Sequence, residues 1–174
     1  MATVTTNNGW DIPQSTDYVK LGADAIAALG QDIDTSVGTG LLTWQTWSPT
    51  LSVGWANGNG VWTAKYAQLG KLVFVRGRFV LGSTTTKGTG LVVSLPVTAA
   101  ANQTFTVNAG LNFATVAAAA TNLLMGYLTG TNALSLFAIG TAGTYANRAQ
   151  ITATIPGTWA TGDEINFAFT YEAA

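Results

Sequence analysis

The chain has 174 residues, 48% of them hydrophobic and only 9% charged, with a formal net charge of −1. The apolar share is enough for a folded core and excludes intrinsic disorder, which needs low hydrophobicity and high charge. The charged share is far below the usual ~25%, and a net charge of −1 offers no basic field for nucleic acid or anionic lipid. The surface must therefore be neutral and polar, as the 28 threonines fit, or be covered by other subunits.

The opening residues, MATVTTNNGWDIPQ, lack the basic and apolar regions of a secretory signal, so none is expected. Residues 1–15 read as an extended arm, with a turn at Asn7-Asn8-Gly9 and Pro13 disfavouring helix at Ile12. A helix follows. Thr16 can cap it, Asp17 suits its dipole, and Gly38 and Gly40 stop it. Val19, Gly22, Ile26, Leu29 and Ile33 recur at spacings of three and four, a heptad-like stripe. Gly22 and Gly30 make so short a helix marginal on its own, so it needs a partner. That partner is either its own β-domain, or its copies or a larger assembly. Most of the aspartates sit here, at Asp17, Asp24, Asp32 and Asp34.

From about residue 43 the pattern changes to short β-rich runs separated by Gly, Asn and Thr clusters, the mark of a sandwich or barrel. Strands are expected near 44–53, 61–68, 71–82, 90–95, 104–116, 122–129, 133–139, 149–155 and 164–172. In KLVFVRGRFVL, Val73, Val75, Phe79 and Leu81 share one face, and Arg76 and Arg78 share the other, toward solvent or a partner. In EINFAFTYE, Ile165, Phe167, Phe169 and Tyr171 share a face. The expected fold is mainly β: an antiparallel, jelly-roll-like β-sandwich over 43–174, preceded by an arm and one short α-helix over 1–42. Gly38 to Gly40 is the linker between them.

The apolar runs are too short to cross a membrane as a helix, so no membrane insertion is expected. Without His or Cys, the common nucleophile–base pairs and most transition-metal sites are missing. Asp163 and Glu164 read as a solvated turn rather than a catalytic pair, and the helix aspartates do not have calcium-loop spacing. The run GTGLVV precedes a strand, so it presents no helix N-terminus to phosphate. No enzyme activity, cofactor or metal is expected.

The stretch GWANGNGVWTAKYAQLGK, Gly54 to Lys71, holds two tryptophans around the turn Asn57-Gly58-Asn59-Gly60. As scaffold it is two consecutive hairpins, with Trp55 and Trp62 flanking the turn and able to pair across strands. As a binding loop, Trp55, Asn57 and Trp62, with Trp159 in PGTWATGD, would offer ring faces and amides to a glycan.

Residues 9–38 resemble the N-terminal module of small virion proteins of tailed phages that infect actinobacteria. The shared elements are Gly9-Trp10, Pro13 before Thr16-Asp17, Gly22-Ala23, and Leu29-Gly30 before Asp32-Ile33-Asp34. Trp47, Pro49 and Leu51, then Tyr66, Gly70, Lys71, Val73, Val75, Gly77 and Phe79, resemble the opening of the β-domain that follows in such proteins. The resemblance covers residues 9–95. It implies a multicopy virion protein, made in the host cytoplasm: a fibre-like minor tail protein engaging host-surface glycan, or a head-decoration protein. By the same analogy it implies a homotrimer bound to other virion proteins. A soluble carbohydrate-binding module is the other class left open.

Overall fold

The computed structural model describes residues 3–4, 9–12, 18–38, 42–101, 112–116, 120–142 and 145–174. The chain divides into two units, Met1–Thr43 and Trp44–Ala174.

In the first unit, β1 (Thr3–Val4) pairs antiparallel with β2 (Asp11–Ile12). The helix α1 (Val19–Gly38) lies against β2. Its 20 residues make a rod of about 30 Å. It ends at Gly38, the first of the two glycines expected to stop it. Thr16 and Asp17, the expected cap, and Pro13 lie outside the described residues.

The second unit is mainly β. Its strands are β3 (Gln45–Thr46), β4 (Leu51–Ser52), β5 (Val61–Leu69), β6 (Leu72–Val80), β7 (Leu91–Ser94), β8 (Asn112–Val116), β9 (Ala120–Thr129), β10 (Ala133–Ala142), β11 (Tyr145–Gln150) and β12 (Glu164–Glu172). All ten belong to one antiparallel sheet: nine in the order β3-β5-β6-β12-β8-β9-β10-β7-β4, with β11 off that path and paired to β10. One edge of β10 serves two strands: β7 pairs with Ala133–Leu136, and β11 with Phe137–Ala142.

Connectivity forces this sheet to curl. Laid flat, eight steps of ~4.8 Å would put its end strands about 38 Å apart. Those ends, β3 and β4, are joined directly by residues 47–50, and the chain from Thr46 to Leu51 spans at most ~18 Å. The sheet therefore wraps into a half-barrel. Its inner face carries the core: Val73, Val75, Phe79 and Leu81 from β6 and the residue after it, Ile165, Phe167, Phe169 and Tyr171 from β12, and Leu134 and Leu136 from β10. Each of these is at most 3% exposed, so the alternation read from the sequence marks a real inside and outside.

Three expectations are corrected. A sandwich implies two sheets, whereas these strands form one continuous hydrogen-bonded sheet. The run 44–53 is two strands at opposite ends of the sheet, separated by buried Pro49, which has no N–H to give a ladder. The run 149–155 is displaced: β11 ends at Gln150, and Thr152 and Ile155 close a local bridge instead. Of the run 104–116, β8 covers the last five residues and 104–111 lie outside the described set. The second hairpin turn forms as expected, with Gly70 at φ +57 in the first central position between Leu69 and Leu72.

Candidate functional site

The tryptophans decide whether Gly54–Lys71 is scaffold or binding loop. Trp55 is 3% exposed and meets Trp159 edge to face at 5.7 Å. Trp159 is 4% exposed, and its indole N–H donates to the carbonyls of Thr152 (2.9 Å) and Ile155 (3.3 Å). The Trp55 Nε1 has no partner among the described residues. Neither ring offers a face to a ligand. Trp62 is half-buried, stacked on its cross-strand partner Phe79 at 4.6 Å, so the expected Trp55–Trp62 pair is replaced by Trp62–Phe79. Asn57 spends its amide inside the fold: Oδ1 accepts from Trp62 Nε1 (3.2 Å) and Nδ2 donates to the Pro49 carbonyl (3.3 Å). Its carbonyl accepts from Gly60 N and Thr85 Oγ1, each at 2.8 Å. Asn59 likewise ties the turn to Ser83 and Thr84. Trp55, Asn57 and Trp159 are therefore scaffold in this structure.

On α1, Ile26 is 65% exposed and Ile33 is 39% exposed, while Gly22 and Leu29 are half-buried. Val19 opens the helix, and its side chain lies outside the described set. Two of the apolar residues of the stripe thus face solvent in this unit.

The acidic pair is corrected in part. Asp163 is buried, not solvated, and its Oδ2 accepts the Ala160 N–H at 2.6 Å, closing the turn before β12. Glu164 forms a forked ion pair with Arg78, with Nε to Oε2 at 2.8 Å and Nη2 to Oε1 as the second arm. The guanidinium's hydrogen bonds hold the Glu164 carboxyl below its usual range and raise Arg78 in turn. These contacts bind turn and strand together. Among the described residues no cluster of His, Cys, Asp or Glu could hold a metal ion, and no helix is long and apolar enough to cross a membrane.

What the sequence reading missed lies on the outer face of β5, β6 and β12. There a groove of about 510 Å³, open to solvent, is lined by Thr63, Lys65, Arg76, Arg78, Asn166 and Ala168. Register puts these side chains in two ranks: Thr63, Arg78 and Asn166 side by side, then Lys65, Arg76 and Ala168. The short Ala168 leaves the hollow. Arg76 also lies over the Trp44 ring, 4.4 Å from its centroid. A second outer feature sits on β9 and β10. Tyr127 and Phe137 stack at 5.0 Å, and Arg148 covers both rings.

The charge is unevenly divided between the two units. The first holds five aspartates and Lys20, net −4. The second holds six cations against Asp163, Glu164 and Glu172, net +3. The net −1 thus hides a basic β-unit. No family model, curated protein or solved structure matches the chain.

Proposed function

We propose that this protein is a non-enzymatic, multicopy surface component of a tailed-phage particle, with Met1–Thr43 as its anchor and Trp44–Ala174 as the projecting unit. The carrying observation is the exposure of Ile26 and Ile33 on a helix that belongs to a separate unit from the β-sheet. A glycine-containing helix of this length is marginal alone, so its stripe is assigned to contact between copies, as a homotrimer, or with another virion protein. The resemblance over residues 9–95 supplies the phage context.

Within that class, the basic groove favours a fibre-like minor tail protein that binds a host-surface ligand over a head-decoration protein, which needs no ligand groove. Immunogold electron microscopy of intact particles, with antibody to residues 43–174, tests this. Label at the tail tip or baseplate supports the tail reading. Label over the head replaces it with decoration. Absence of label with the epitope shown accessible removes the virion reading and leaves a soluble carbohydrate-binding module.

A further inference from the structure

We infer that the outer groove of β5, β6 and β12 binds an anionic saccharide, one whose sugars carry carboxylate or phosphodiester groups, through Lys65 and Arg76. The inference starts from a pairing that is unfavourable for folding. Lys65 and Arg76 are directly opposite one another on adjacent strands and point to the same face. Like charges in that position oppose folding, because their Cβ atoms sit only ~5 Å apart. Both are exposed, and no acid of the β-unit compensates them. Asp163 is buried in its turn, Glu164 is held by Arg78, and Glu172 lies four residues along β12 from Ala168, ~13 Å away. An anion between the two cations would turn this repulsion into attraction.

The surroundings fit a sugar. Arg76 lies over the Trp44 ring, and a guanidinium held on an aromatic face keeps its N–H edge for a planar acid group, the forked recognition that arginine provides. Thr63 and Asn166 line the neighbouring rank with hydroxyl and amide groups suited to sugar hydroxyls. The volume lies within the ~300–1,000 Å³ typical of small-ligand sites. Two uncompensated cations make too short a track for nucleic acid, whose affinity grows with the number of phosphates neutralised.

This deepens the tail-protein reading and relies on it for the ligand being a cell-surface polymer. Its test uses the purified 174-residue chain, so failure here leaves the particle labelling to stand or fall separately. The probes are a short oligogalacturonate, a glycerol-phosphate oligomer, neutral dextran and oligothymidylate, each titrated by calorimetry and by amide-shift mapping.

One or both anionic saccharide probes should bind, shift amides of β5, β6 and β12, and weaken with added salt. The responding probe tells carboxylate from phosphodiester. Lys65→Glu should lose about tenfold or more in affinity while melting no lower than the parent, because it places an acid opposite Arg76. Arg76→Gln should lose binding as well. The proposal is overturned if dextran binds equally well, if oligothymidylate binds more tightly, if neither anionic probe binds, or if both variants keep parental affinity.

Discussion

Gly77 sits mid-strand in β6, opposite Phe167 of β12, and a Cβ placed there would lie 2.5 Å from Phe167 Cζ and 2.7 Å from Cε2. The backbone at Gly77 is not left-handed, so Gly77→Ala introduces a contact and no backbone strain. The ring has little room to give way. Trp47, Trp62 and Phe169 surround it at centroid distances of 6.2, 6.0 and 5.8 Å. Overpacking of this kind costs about 1–3 kcal/mol. At about 3–5 °C per kcal/mol for a unit of this size, Tm should fall by about 3–15 °C. Phe167→Leu alone removes ring volume and should cost about 1–3 kcal/mol. Together they should cost less than the sum, because the methyl enters space that the ring vacates. Urea denaturation of the parent, both single variants and the double variant reads the coupling, expected at about 1 kcal/mol or more. Additivity to within about 0.5 kcal/mol would show that Phe167 is not what holds residue 77 to glycine.

Gly58→Ala combines φ +54 with a Cβ 2.3 Å from the Thr84 carbonyl oxygen, so it should destabilise the β-unit by about 2 kcal/mol or more in urea melts. Tyr171 Oη donates to the Val97 carbonyl at 2.7 Å, and burial pushes its ionisation up to about 12. Since the unfolded value is about 10, its contribution should be intact below pH ~10 and fade as pH rises toward ~12. Tyr171→Phe should remove that component from stability–pH curves. Glu164, whose carboxyl is held low by Arg78, works in the opposite sense: its contribution is present above the ordinary carboxylate range and fades as acid protonates it. The pair is solvent-exposed, so Arg78→Ala should change melting little. Ile26→Asp with Leu29→Asp should break up the oligomer in analytical ultracentrifugation, or block incorporation into particles, while the β-unit melts as before. Persistence of both assembly and incorporation would remove the helix from that role.

Local periodicity carried much of the fold. The 3–4 spacing located α1 and its end at Gly38, and period-two alternation placed Val73, Val75, Phe79 and Leu81 on the buried face of β6. Alternation says which face is buried but not what covers it, so one curled sheet and two stacked sheets read alike. The run 44–53 misled for a related reason: its two halves are strand-like in composition, and only the distant partners Lys65 and Val93 separate them. For the tryptophans, sequence favours scaffold over binding loop but does not decide between them, and distance is the reason. Trp55 is covered by Trp159, more than a hundred residues away, so local turn chemistry could not tell an exposed ring from a core ring. The Lys65–Arg76 pair was within reach. Once a two-residue turn is placed between Leu69 and Leu72, counting four residues back and four forward sets the two cations opposite each other.

Net charge is the remaining case, and it bears on function. A total of −1 excluded a basic surface only on the assumption that charge is spread evenly along the chain. A ligand responds to charges within about a Debye length, ~8–10 Å, and within that range of the groove Lys65 and Arg76 count for more than the sum over the chain. Placing most of the acids in Met1–Thr43 leaves the β-unit at net +3 without making the protein basic. In particular, β5 and β6 oppose two cations where a threonine or an acid would fold more comfortably. An anion in the groove would offset that repulsion, whereas the buried Trp55 and Trp159 offer no ring face to a ligand.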